Sequence, residues 1–367
     1  MTTPPDPGED DGLDTLPHPE PAHYAEQALL GALLLQPGRR SAIDLLPGHF
    51  GNATHRAIYH ALQTLPMPDP VRHEDTPVWP EAVLAEASTH ARGITAAYLT
   101  TLTGACPVPR HALNYARLVR AGHTRRTLRV LAERLAHAPS VAAALHHADA
   151  LATYTETARS NRSSPPVHVP STAPPSQPAH ETLGDARVEE RALISSATSQ
   201  PDDLPFLVSW LRPEDFADPQ CGALWKSITA LAHRGEAVDP VTVLAEAVQH
   251  GALPPGTAPA DLLTTPTTGP ADHWAERILQ RALLSRARDA GNRITESSND
   301  PKTTVQQLIS TSHRALRTLA SLRTRWLHGP TPGTTTHYAA RPSTRGSPAA
   351  AIRRPRPPAH HHSRGVP

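Results

Sequence analysis

Lysine is almost missing from this chain. Lys226 and Lys302 are the only two, so arginine carries nearly all the positive charge. Cysteine is as scarce, and Cys106 and Cys221 fall in different halves. That excludes a disulfide framework and suits a reducing compartment. Aromatic residues make up 4% of the sequence, so any core must be built from Ala, Leu and Val. The longest apolar run, Ala28 to Leu35, is far below the ~20 residues that span a bilayer. The first residues are acidic where a secretory leader needs a basic start. A soluble, cytoplasmic protein without membrane contact is the expectation.

Nucleotide-driven chemistry lacks its loop. A phosphate-cradling loop ends in Gly-Lys-Ser/Thr, and no Gly-Lys pair occurs in the sequence. Metal chemistry lacks its usual spacings. There is no Cys-x-x-Cys and no His-Glu-x-x-His, although His146-His147 and His360-His361-His362 are dense. Ser, His and Asp form no nucleophile elbow. No catalytic, cofactor-binding or metal-binding residue is therefore assigned, no cofactor is expected, and the chain is not read as an enzyme.

What is abundant is proline, 41 residues gathered in clusters, against a usual share of about 5%. These clusters divide the chain. Residues 1–21 are acidic and Pro-rich and read as disordered. A folded segment is expected over 22–159. Residues 160–180, with Ser163-Ser164-Pro165-Pro166 and Pro174-Pro175, read as an extended linker. Those 21 residues reach about 65 Å when extended. A second folded segment is expected over 183–322. Residues 323–367 hold eight arginines and no acid, a low-complexity basic tail.

Between the clusters the spacing is helical. Ala28, Leu29, Ala32, Leu33 and Leu35 form one stripe that stops at Gln36-Pro37-Gly38. Further helices are expected over 52–65, 80–91, 110–137 and 141–154, the last two as a hairpin across a short connection. No sustained β alternation is present. The fold class expected is all-α.

The two halves repeat each other. Glu26-Gln27-Ala28-Leu29-Leu30 matches Glu190-Arg191-Ala192-Leu193-Ile194. Leu46-Pro47-Gly48-His49-Phe50 lines up with Arg212-Pro213-Glu214-Asp215-Phe216, and Ile58-Tyr59 with Leu224-Trp225. Val83-Leu84-Ala85-Glu86-Ala87 returns as Val243-Leu244-Ala245-Glu246-Ala247, and Leu99-Thr100-Thr101 as Leu263-Thr264-Thr265. His55 and Cys221 share one repeat position on an apolar stripe, which suggests helix packing there. The first copy has Gly48-His49 where the second has an acidic pair, and a Pro-rich insertion at 66–80. The second has a polar end to its opening helix, Ser195 to Ser199.

The order of these features resembles a known family. Ala25 to Leu34 looks like the opening helix of the N-terminal domain of DnaB-type replicative helicases. Leu211-Arg212-Pro213-Glu214-Asp215-Phe216 resembles the turn that follows, and His55-Arg56-Ala57-Ile58-Tyr59 the next helix. Val238-Asp239-Pro240-Val241-Thr242-Val243 resembles a further helix start, and Tyr115-Ala116-Arg117-Leu118-Val119-Arg120 the start of the closing hairpin. The resemblance implies two tandem domains, each a small helical bundle followed by a helical hairpin, with no ATPase domain. It implies a collar-type interaction module of DNA replication, whose partners would be the replicative helicase, primase or a loader protein. The two copies would pair within one chain or between chains. Two other readings stay open: the basic tail as a non-specific DNA contact, and the family's helicase activity and ATP binding, for which the sequence offers no loop. The arginines of 110–134 suit either a nucleic-acid or acidic-partner face or a solvated hairpin surface.

Overall fold

In the computed structural model, residues 21–68, 78–160, 183–253 and 269–329 are described. The expected disorder of 1–20, most of the linker, Leu263-Thr264-Thr265 and the tail beyond 329 lie outside them. Among the described residues there are helices and no strands. The first copy holds α1 (Pro21–Leu35), α2 (Ala53–Thr64), α3 (Val78–His90), α4 (Ala96–Gly104), α5 (Ala112–Ala136) and α6 (Val141–Arg159). The second holds α7 (Leu183–Ser199), α8 (Leu204–Trp210), α9 (Pro219–Arg234), α10 (Pro240–Gln249), α11 (Ala271–Asn299) and α12 (Val305–His328).

Local chemistry sets the boundaries. Asn52 caps α2 by accepting from the Thr54 amide at 2.8 Å, and Asp218 caps α9 by accepting from Gln220 at 3.0 Å. Gly235 ends α9 in the left-handed region at φ 68°. Ser140 and Thr304 cap α6 and α12, so the two hairpins turn on equivalent hydroxyl residues. The polar end of α7 remains helical. Thr198 donates back to the Ile194 carbonyl at 3.0 Å, so its buried hydroxyl is satisfied on the helix backbone.

The apolar core does not divide at the linker. One cluster gathers α1, α2, α3, α4 and the first half of α5, from Ala25 to Val119. The other begins at Leu128, within α5, takes in α6, and continues through every helix of the second copy. The long helices α5 and α11 pack on each other, and α6 packs on α12. Counting from their first residues, Ala112 matches Ala271, Ala116 matches Ala275, Val119 matches Ile278 and Leu135 matches Ile294, all buried. Equivalent helices thus face each other, as in an isologous dimer interface. The pairing of the copies, open in the sequence, is within the chain.

One boundary is corrected. The folded segment expected over 183–322 continues in α12 to His328, so Arg323 and Arg325 belong to α12 rather than to the basic tail. Helical periodicity carries on through Leu319, Leu322 and Trp326, which pack against the second core and hold the helix.

Candidate functional site: the paired hairpins and their acid latches

Each copy fastens its opening helix to its bundle through one buried glutamate. Glu26 is 1% exposed and Glu190 fully buried. Glu26 accepts from the amide of Gly51 at 2.7 Å, and Glu190 from those of Ala217 and Asp218 at 2.7 and 3.0 Å. These amides stand at the start of the next helix, where unpaired donors favour an acidic partner. A second contact repeats. Tyr59 donates to the Leu45 carbonyl at 3.3 Å, and Trp225 Nε1 to the Leu211 carbonyl at 3.2 Å.

The surroundings of the two glutamates then diverge. In the first copy His55 lies between Glu26 and Tyr98, with Nδ1 2.8 Å from Glu26 Oε2 and Nε2 2.8 Å from the Tyr98 hydroxyl. Arg126 Nη2 is 3.4 Å from Glu26 and 2.7 Å from the His49 carbonyl. Burial pushes the Glu26 carboxyl up, but the His55 ring, the Gly51 amide and Arg126 outweigh it, and the net direction is down. In the second copy Cys221 replaces His55. Burial raises the Glu190 carboxyl, two amides offset this only in part, and Asp218 raises it further. Burial, with Asp218 and Glu190 close by, also pushes the Cys221 thiol up to about 12, so it is an inert thiol.

His55 joins neighbouring helices through polar contacts. It is fully buried and works through hydrogen bonds, whereas Cys221 packs as a small apolar residue. A histidine between a carboxylate and a hydroxyl has the form of an acid–base relay, but His55 exposes no surface through which a substrate could approach. It holds α1, α2 and α4 together.

The arginines of α5 are mostly half-buried. Arg120 lies 3.5 Å from Asp44. Arg125 donates to the carbonyls of Ser298 and Asp300 at 2.9 and 2.8 Å and also reaches Thr303, so it caps the exposed carbonyls where α11 turns into α12. Arg125 is thus a bridge from the first copy to the hairpin of the second. Arg126 joins the Glu26 latch, and of the remaining α5 arginines Arg117 is exposed. From α12, Arg323 pairs with Asp149 of α6. Arg325 binds Asp215, at 2.9 Å to Oδ1, and the Trp210 carbonyl at 3.1 Å. Asp215 also accepts from the Arg212 amide at 2.8 Å, closing the Pro-x-x-Phe turn. In the first copy His49 closes that turn through Nδ1, 2.9 Å from the Leu46 amide. His49 also packs edge-on against His123, ring centroids 4.7 Å apart. Burial, then His49 and Arg126, depress His123 to about 4.

A cleft of about 320 Å³ opens where the copies meet, between the start of α1, the middle of α5 and the α11–α12 turn. Leu118, 55% exposed, stands at its edge beside Arg125 and Pro301. Of the histidines weighed in the sequence, His146 and His147 are neighbours without a third ligand among the described residues, and His360 to His362 lie outside them. The structure brings together a different set, His60, Glu86 and His90. Its signal in the sequence was the Glu86–His90 spacing of four, but its third member comes from another helix. No described helix is long and apolar enough to cross a membrane.

Two helical bundles, each latched by a buried glutamate at the same helix start and closed by a hairpin on its counterpart, define a duplicated all-helical domain. The family model of the DnaB-like helicase N-terminal domain matches residues 18–121 and 186–280. The chain belongs to that family, with the domain present twice. Both matched segments end inside the long helices α5 and α11. The replicative DNA helicase DnaB of Leifsonia xyli subsp. xyli is 27% identical over 142 residues, which are 38% of this chain and 30% of the relative. The replicative DNA helicase DnaB of Mycobacterium leprae is 30% identical over 127 residues, 34% of this chain and 21% of the relative. The chain matches less than a third of the length of these relatives.

Proposed function

We propose that this chain is an accessory of DNA replication that binds the replicative helicase, or the primase or loader protein that meets it, through a collar-type pair of domains and without a motor of its own. The observation that supports this most is the pairing of the copies. The hairpins that would join two collar domains are joined inside one chain, through α5 on α11 and α6 on α12. Such a molecule presents the outer faces of a collar dimer as one unit. The cleft beside Leu118 is built from both copies and exists only while they are paired, which makes it the docking site of choice for a partner side chain.

The test is capture of the purified replicative helicase, and separately of primase and loader, by the immobilised full chain. Retention of one of them, weakened by Leu118→Glu, is the expected result. Failure to retain any of the three removes the reading. A DNA-binding role fits the described residues less well, since Arg120, Arg125, Arg126, Arg323 and Arg325 are engaged with protein groups.

A further inference from the structure

The first copy carries a cluster that its duplicate lacks. His60 of α2 and Glu86 and His90 of α3 each bring one ligand atom to within 4.8 Å of the others. Glu86 Oε1 lies 3.5 Å from His90 Nε2, one helical turn along. The rings of His60 and His90 meet edge to face at 4.4 Å. His60 Nδ1 is buried without a hydrogen-bond partner.

The 3.5 Å separation is long for a hydrogen bond. It is close to the ligand–ligand edge of a tetrahedron with metal bonds of about 2.0–2.1 Å, which comes to roughly 3.4 Å. The repeat supplies an internal comparison. Glu86 and His90 recur as Glu246 and His250, 3.7 Å apart. There the place of His60 is taken by Lys226, and Arg234 Nη2 sits 2.9 Å from Glu246 Oε2. Counting on without a gap, the place of Arg234 in the first copy falls on Pro68. The second copy therefore neutralises its carboxylate with a fixed cation. The first copy has neither cationic side chain at these places and sets a second imidazole beside the carboxylate. Glu86 and His90 are 36% and 44% exposed, so a fourth position is open to water.

We propose that His60, Glu86 and His90 form a binding site for a zinc-class divalent cation, clipping α2 to α3, with water as the fourth ligand. Two imidazoles and a carboxylate are a borderline N/O donor set that suits zinc over magnesium or calcium.

Zinc titration of the full chain by calorimetry, with cobalt absorption as a second readout, tests this. The expected result is one zinc per chain outside the tail, tetrahedral cobalt bands, and at least tenfold weaker binding in His60→Ala and Glu86→Gln. His90→Ala should weaken it equally, and its exposed side chain makes that variant safe for folding. Replacing His360, His361 and His362 together by Ala should leave this site intact. No zinc uptake, uptake that survives His90→Ala, or uptake abolished by the tail replacement overturns the proposal.

Discussion

Gly291 and Ala132 occupy equivalent positions of the two copies and meet where α11 crosses α5. A β-carbon on Gly291 would stand 2.5 Å from the Ala132 carbonyl oxygen and 2.7 Å from the Ala136 amide nitrogen. The backbones approach too closely for any side chain there, and the approach joins one copy to the other.

Gly291→Ala is therefore expected to invert the usual helix effect. At a free helix position that change stabilises by up to about 1 kcal/mol. Here it overpacks a crossing and should cost roughly 1–3 kcal/mol, and Gly291→Val more. Urea unfolding of the full chain measures this. A stabilised Gly291→Ala would mean that α5 and α11 do not cross as described.

The two copies make a matched experiment on buried charge. His55→Leu leaves the Glu26 carboxylate enclosed without its ring partner, a loss of about 3–5 kcal/mol. Cys221→Leu alters only packing at the same repeat position and should cost roughly 1–3 kcal/mol. Equilibrium denaturation of both variants gives the comparison, and equal costs would remove His55 from the latch.

Acid should weaken the fold in two stages. His123 is depressed to about 4 from an ordinary 6.5. Its neutral form is the folded one, so its contribution is complete above pH 6.5 and is lost as the pH falls from there towards 4. The loss amounts to roughly 3 kcal/mol. Glu26 is also lowered, and its contribution is present above the usual carboxylate range and lost below it. Glu190 is raised, so the fold gains from its protonation, and Glu190→Gln should cost less at neutral pH than Glu26→Gln. Melting temperatures between pH 7.5 and 4.5 test the first stage. His123→Gln should flatten that part of the curve.

Two arginines read as tail should differ sharply. Arg325→Ala strands Asp215, which is 6% exposed and pinned in a turn, at a cost of about 3–5 kcal/mol. Arg323→Ala breaks a half-exposed pair with Asp149 and should cost no more than about 1 kcal/mol. Thermal unfolding separates them.

The repeat was legible because positions in and against the core keep their residue types: Glu26 and Glu190, Phe50 and Phe216, Val83 and Val243. Helix class and approximate bounds followed from the 3.6 spacing and from breakers such as Gln36-Pro37-Gly38. The partner of each stripe was not legible. Leu128, Leu131 and Leu135 announce a buried face, but nothing in their spacing says that the second copy covers it. The arginines hid their roles for a similar reason. Arg125 answers carbonyls more than 170 residues away, and a guanidinium bound for a distant helix end looks in sequence like one bound for solvent. His55 lay on an apolar stripe, and only the fold shows that Glu26 and Tyr98 reach it. Arg323 and Arg325 were lost to the tail because arginine richness outweighed the helical spacing of Leu319, Leu322 and Trp326.

The central claim is that one chain contains a closed pair of collar-type domains and offers it to the replicative helicase. Light scattering on the full chain, alone and mixed with that helicase, tests it most directly. The account predicts a 39.4 kDa monomer alone and a stable joint species in the mixture. A self-associated dimer of about twice that mass, or a monomer that never joins the helicase, would contradict it.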